Sequence, residues 1–249
     1  MEVHHHPKVE KKNFKEYFLE GLMIFLAVTL GFFAENLREY VKDSDEIKSN
    51  IESMVGDLES DVAMFSSHIS INQLSDRRID TLISLLKSDR SNTSQIYFLA
   101  RYATANNNVY TPDIKTFEQM KSSGTLRLIH SRSILDSISD YYQSLQFFIS
   151  QSGLQRQKII DVHAVNSQLF DGSVFQRMFV KTESNHHVVI AKPENNPPLL
   201  SDDFNAINKI IVAYHYLYAT TEINNEAAEV SRQHAVRLID FLKKEYHIE

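Results

Sequence analysis

The chain has no cysteine and no tryptophan, and only six glycines and five prolines among 249 residues. Without cysteine there is no disulfide framework, no thiolate zinc site and no cysteine nucleophile. With so few helix breakers, long uninterrupted helices are favoured. Motif chemistry is also missing. There is no Gly-x-Ser-x-Gly elbow, no His-Glu-x-x-His pair, no phosphate-binding glycine loop and no dinucleotide glycine pattern. Positive charge is scarce too. Net charge is −6, and the first 16 residues hold four Lys against three Glu, so the remainder carries −7. That balance argues against nucleic-acid binding, which needs a basic face.

Metal chemistry fares no better. A di-iron bundle needs Glu-x-x-His pairs facing inward. Glu222, Glu226 and Glu229 share one stretch, but His234 lies five residues past Glu229 rather than three. His186 and His187 are adjacent, and neighbours on a strand point to opposite faces, so one ion does not suit both. His163 and His215 sit among apolar residues and read as packing histidines. Tyr214 and Tyr218 share a helix face, where core packing is the default. No catalytic residue, cofactor site or metal site is expected, and the chain reads as a non-enzyme.

What is present is an apolar run near the N-terminus. Tyr17 to Ala34 is almost entirely apolar, and Gly21 to Ala34 carries no charge. At 1.5 Å per residue it covers about 27 Å, just under the hydrocarbon thickness of a bilayer. We read it as a single membrane-spanning helix. The competing reading is a buried core helix of a soluble protein. A cleavable signal is disfavoured because Glu35-Asn-Leu-Arg-Glu follows, not a small-x-small site. Tyr17, Phe18, Phe32, Phe33 and Tyr40 cluster at the two ends as interfacial aromatics do. Glu20, the one charge inside, lies a turn from the end, within reach of Lys15 or the head groups. Ala27 and Gly31 have the small-xxx-small spacing that lets spanning helices approach. Lys8, Lys11, Lys12 and Lys15 precede the span, which favours a cytoplasmic N-terminus and an outer location for the bulk of the chain. The expected organisation is a polar cytoplasmic tail at 1–16, holding His4, His5 and His6, a spanning helix at 17–34, and an extracytoplasmic helical bundle at 35–249. The expected compartment is the inner, cytoplasmic membrane.

Beyond the span, Ile47, Ile51, Met54, Leu58, Val62, Phe65 and Ile69 recur at spacings of three and four, a stripe on one helix face. It is a candidate interaction stripe for a coiled-coil or bundle partner, or a face packed within its own domain. Asn72 to Arg78 is polar and reads as a bend; Ile79, Leu82, Ile83 and Leu86 resume the stripe. Ser88 to Asn92 reads as a loop and Thr93 to Ala105 as a short helix ended by Asn106 to Asn108. Thr111 suits an N-cap, with Pro112 at the first helical position and Asp113 in the first turn. Gly124 suits the left-handed residue that ends that helix. Ser131 or Ser133 caps the next helix, which runs to Leu169 and which Gly153 loosens midway. Asp171 to Ser201 contains Pro197 and Pro198, and its pieces Phe175 to Val180 and His187 to Ala191 suit a small hairpin. Such a long connection is often functional. After Ser201 and Asp203, a helical pattern runs unbroken from Phe204 to Tyr246. The fold expected is mostly α: the spanning helix continuing into an elongated antiparallel bundle, with a small β-hairpin in 171–201.

The pattern Glu20…Gly31-x-x-Ala34-x-Asn36-x-x-Glu39, followed by Leu58 in a Gly-Asp-Leu-Glu-Ser-Asp run, resembles the start of a family of uncharacterised bacterial membrane-anchored proteins, catalogued as a domain of unknown function. The segment Phe117 to Ile129, followed by Leu135-x-x-Ile138-Ser-Asp-Tyr141-Tyr142, resembles that family's second recurring block. The two blocks touch about half of the chain. Where the family often has Trp after the Asn, this chain has Leu37, a weaker interfacial anchor. The resemblance implies a one-span anchor and a helical outer domain, and no activity. Two functions are therefore expected in order: a non-enzymatic envelope protein acting on a protein partner or as a homo-oligomer, with the lipid bilayer as its support; and, alternatively, a ligand-sensing outer domain in which Asp171 to Ser201 covers a pocket and a partner carries the signal.

Overall fold

The computed structural model describes residues 13–105, 110–181 and 188–248. The tail residues His4 to His6, the helix stop at Asn106 to Asn108 and the pair His186–His187 fall outside them. The described chain is mostly α. Its elements are α1 (Phe14–Lys87), α2 (Thr93–Ala103), α3 (Lys115–Ser123) with a 3-10 turn (Thr125–Leu128), α4 (Arg132–Asn166), α5 (Gly172–Arg177), β1 (Phe179–Lys181), β2 (Val188–Ile190) and α6 (Phe204–Tyr246). Two compact units divide the chain, residues 1–50 and 51–249.

In the first unit, α1 carries a window long and apolar enough to cross a membrane, and none of that window is buried within the protein. Phe25 is 66 % exposed, and Tyr17, Phe18, Phe32 and Phe33 are likewise open. A core helix of a soluble protein would bury these rings; this one leaves them exposed. The Thr29 hydroxyl donates to the Phe25 carbonyl at 2.8 Å, so its polar atom is satisfied within the helix. Beyond the apolar stretch, Glu35 and Arg38 pair across one turn.

The second unit is built on three long helices: the part of α1 from Ile51 onward, α4 and α6. Asp61 pairs with Tyr141 and Asn72 with Gln155, so α1 and α4 run in the same direction. Gln155 pairs with Thr221, and Asn166 with Tyr214, so α6 runs antiparallel to α4. It is also antiparallel to α1, since Glu59 meets Lys243 while Asn72 meets Asn225. The stripe predicted as a candidate interaction surface turns inward. Ile47, Ile51, Met54, Leu58 and Phe65 are buried, and Val62 and Ile69 half-buried. Phe65 packs edge-to-face on Phe148 of α4, ring centroids 5.1 Å apart. From Ile51 onward the stripe is core of this unit rather than a free face.

Asn72 to Arg78 does not break α1, as its polarity suggested. Within this run, Asn72 finds its partners on the other two helices. Asn72 Nδ2 donates to Asn225 Oδ1 at 2.8 Å, and Gln155 Nε2 donates to Asn72 Oδ1 at 3.3 Å and Thr221 Oγ1 at 3.1 Å. Asn224 Nδ2 donates to Gln155 Oε1 at 2.8 Å and Ser152 Oγ at 3.2 Å. His68 Nε2 lies 3.1 Å from Asn224 Oδ1 and 3.0 Å from Asn72 Nδ2. One ring nitrogen either donates to the first or accepts from the second. This layer crosses the bundle and aligns side chains on all three helices, so a one-turn slip of any helix leaves buried amides unpaired.

Two further helix boundaries differ from expectation. Residues 111–114 are not helical, and α3 begins at Lys115 with no cap from Thr111. Its first amides are satisfied from α1 instead: Asp57 Oδ2 accepts from Thr116 N at 3.1 Å and Asp61 Oδ1 from Asp113 N at 2.8 Å. Gly124 does end α3 in the left-handed conformation, at φ 78°. α4 passes through Gly153 without interruption and stops at Asn166. The hairpin exists but is shorter than predicted. Phe179 pairs with Ile190 and Lys181 with Val188, while Phe175 to Arg177 belongs to α5. α6 runs from Phe204 to Tyr246 as the sequence pattern predicts, capped by Asp203, whose carboxylate accepts from Ala206 N at 2.9 Å.

Candidate functional site

One end of the second unit holds a hydrophobic cluster from α1, α2, α4 and α6, including Ile79, Leu82, Tyr97, Val162 and Tyr214, and Val174, Met178, Ile190 and Leu199 of the segment that follows α4 are laid against it. This segment is fastened. The Tyr97 hydroxyl accepts from Asp171 N at 2.9 Å and donates to the Pro198 carbonyl at 3.0 Å. Ser94 and Asn196 exchange two bonds of 3.1 Å, Asn196 Oδ1 accepting from Ser94 N and Ser94 Oγ from Asn196 N. Leu200 N donates to the Leu169 carbonyl at 2.9 Å. Behind it, Asn166 Nδ2 of α4 donates to Tyr214 Oη of α6 at 3.2 Å, which donates to the Ala100 carbonyl of α2 at 3.0 Å.

Between this fastened segment and the helices lies a cavity of about 400 Å³. α2 contributes Arg101 and the following Thr104, α4 contributes His163 and Asn166, Phe170 follows α4, and the segment contributes Asp171, Phe175 and Leu200. The cavity is bounded by α2, the end of α4 and α5. Its size is in the range of small-molecule sites.

Arg101 dominates its electrostatics. The guanidinium lies 4.5 Å from the Phe179 ring centroid and 5.6 Å from that of Phe175. Its Nε is buried without a hydrogen-bond partner, and among the described residues no carboxylate forms an ion pair with it. Burial lowers its affinity for the proton, yet an arginine stays charged. His163 is exposed at the rim rather than packed in the core, and His215 is exposed as well. Partial burial, then the charge of Arg101, lower the His163 pKa against an opposing Thr104 backbone contact. The imidazole is therefore neutral at pH 7. Asp171 is held below the usual carboxylate range by the Ser173 amide and hydroxyl, and stays ionised. Asn166 is buried and its Oδ1 has no donor. The site thus offers one fixed positive charge, one fixed negative charge at its edge, and an aromatic wall in which Phe170 and Phe175 stack at 5.3 Å. Such a set binds and orients; among the described residues no three His, Cys, Asp or Glu side chains are grouped to hold a metal ion.

Of the residues predicted from sequence, the anchor group Tyr17, Phe18, Glu20, Gly31, Phe32 and Phe33 lies on the exposed first unit, away from any core. Arg101 was not singled out in the sequence, although it carries a signal. It ends the apolar run Ile96 to Ala100, and no acidic residue stands three or four positions away on its helix. No protein-family model, no curated protein and no solved structure matches the chain.

Proposed function

We propose that the chain is a membrane-anchored, non-enzymatic binding module. Tyr17 to Ala34 holds it in the inner membrane, Lys8, Lys11, Lys12 and Lys15 keep the N-terminus in the cytoplasm, and the bundle receives a small ligand on the outer side and passes its occupancy to a partner protein. One observation carries this reading: a partly buried guanidinium with no carboxylate partner lines a cavity of ligand size. A charge partly taken out of water without an ion-pair partner costs stability, so its retention speaks for a ligand that pairs with it. The test is thermal unfolding of the full chain in lipid nanodiscs against a chemically mixed metabolite set. A stabiliser is expected whose effect disappears in Gly172→Phe, because a Cβ at Gly172 meets nothing within 4 Å and bulk can be added at the cavity wall. A screen with no such compound counts against the reading. Protease accessibility of sealed vesicles from each side tests the orientation.

A second reading, assembly with a protein partner or a second copy, is favoured by a different observation. Tyr216, Ile223 and Val230 follow one another at seven-residue intervals on α6, and Phe147 and Leu154 do so on α4; all five are 42–60 % exposed. This is the spacing of a helix-docking seam. Crosslinking from cysteines placed at Tyr216 and Ile223 tests it; a strictly monomeric, partnerless protein in the membrane would sink it.

A further inference from the structure

We propose that the cavity beside Arg101 takes a small organic acid with a single negative charge, its carboxylate on the guanidinium and its apolar body against Phe170, Phe175 and Leu200. This rests on the reading of the cavity as a binding site and adds the class of ligand.

Three features select that class. First, Phe179 lies 4.5 Å from the guanidinium carbon, over a ring face. A guanidinium stacked on a ring keeps its in-plane N–H edges for an acceptor, and a carboxylate matches that fork with two parallel bonds. Second, the wall is largely hydrocarbon. A bare inorganic anion would give up its hydration to Phe170, Phe175 and Leu200 with nothing in return, whereas an organic acid buries apolar surface there. Third, Asp171 stands ionised at the same cavity. It penalises a second negative charge, so phosphate esters and dicarboxylates are disfavoured relative to monoacids. Measured against the ~30 Å³ that a water occupies in the liquid, 400 Å³ admits about a dozen non-hydrogen atoms.

The experiment is calorimetric titration of the full chain in nanodiscs with 3-phenylpropionate, its neutral counterpart 3-phenylpropanamide, and phenyl phosphate as the dianion. The acid is expected to bind at least about tenfold tighter than the amide, as a charge-assisted hydrogen bond implies. Phenyl phosphate is expected to bind more weakly than the acid. Arg101→Gln removes the preference for acid over amide, and Arg101→Lys keeps part of it. Equal binding of acid and amide to the unmodified protein, which needs no variant, overturns the charge assignment. So does unchanged acid affinity in a folded Arg101→Gln protein. Phenyl phosphate binding as tightly as the acid overturns the single-charge assignment. In each of these cases a bound compound whose signal is lost in Gly172→Phe leaves the binding-site reading standing. If none of the three binds, and no neutral, cationic or anionic fragment gives a signal sensitive to Gly172→Phe, the proposal and that reading fall together.

Discussion

Asp76, one turn beyond Asn72 on α1, has 5 % of its surface exposed, and neither carboxylate oxygen has a hydrogen-bond donor among the described residues. Its surroundings are acidic. Burial first, then Glu222 of α6 and Asp80 of α1, push its pKa up to about 8. In the unfolded chain the same carboxyl titrates near 4. The folded state therefore holds this proton more tightly, and the stability it contributes is present below about pH 4 and lost as pH rises toward 8. Asp76→Asn keeps the shape and removes the titration. Its melting temperature is expected to match that of the unmodified protein at pH 5 more closely than at pH 8, where the variant is several degrees more stable. Circular dichroism melts at the two pH values measure this, and a difference that shrinks with rising pH would contradict it. Desolvation lowers the His68 pKa, so its charging works in the opposite direction, destabilising the fold as pH falls below its unfolded value. Taking the difference between variant and parent removes that contribution. Nothing in the chain sequence marks Asp76 as different from the neighbouring Asp80. The cost arises because folding buries it and because α6 brings Glu222 to it, a residue 146 positions away in sequence.

At the scale of elements, the three long helices are tied by the polar layer and the 171–201 segment by Tyr97. Asn224 serves His68, Gln155 and Ser152 at once. Asn224→Leu leaves the Gln155 acceptor and the Ser152 hydroxyl without that donor inside the bundle, and is expected to destabilise by about 1–3 kcal/mol, read from chemical denaturation. Asn224→Asp, which buries a carboxylate oxygen against the Gln155 acceptor, is expected to destabilise at least as much at neutral pH. Tyr97→Phe preserves the ring contacts with Phe170 and Phe175 but strips both bonds to the segment. Faster amide exchange at Asp171, with the three-helix core unaffected, is the expected outcome by hydrogen-exchange mass spectrometry. These elements also show what a sequence makes legible. The periodicity of α6 runs through one helix, so its bounds could be read from Phe204 to Tyr246 directly. The ends of α3 split: Gly124 announces itself because the left-handed conformation is a local demand, while the true N-terminal cap, Asp57, comes from another helix and leaves no mark near Thr111. The polar run Asn72 to Arg78 looked like a break for the same reason. Polarity inside a helix reads as exposure until partners on α4 and α6 are known. The candidate pocket was legible as an unusual segment, Asp171 to Ser201; Arg101, its charge, was not, because what distinguishes it is a carboxylate partner that is missing in space.

At the scale of the molecule, the chain is two units that differ in what they bury. Residues 51–249 bury their own apolar stripe and satisfy most of their polar groups internally; the apolar window of residues 14–50 buries nothing within the protein. Under the proposed anchor a lipid phase would cover exposed rings such as Phe25, Phe32 and Phe33. Two experiments follow from that division. A fragment beginning at Asp43 retains Ile47 and every residue of the second unit, and is expected to remain in the supernatant without detergent and melt cooperatively. The full chain is expected in the membrane pellet, released by detergent but not by high salt or alkaline carbonate. Leu26→Arg then places a charge near the middle of the apolar run, at a cost of about 3 kcal/mol for insertion, or roughly a hundredfold in the partition ratio. The variant is expected to shift measurably toward the soluble or aggregated fraction while its pocket, which contains no residue of the first unit, binds as before. If instead the unmodified full chain stays soluble and monodisperse without detergent, the apolar helix has found cover in protein rather than lipid, and the anchor reading fails while the three-helix unit and its cavity stand.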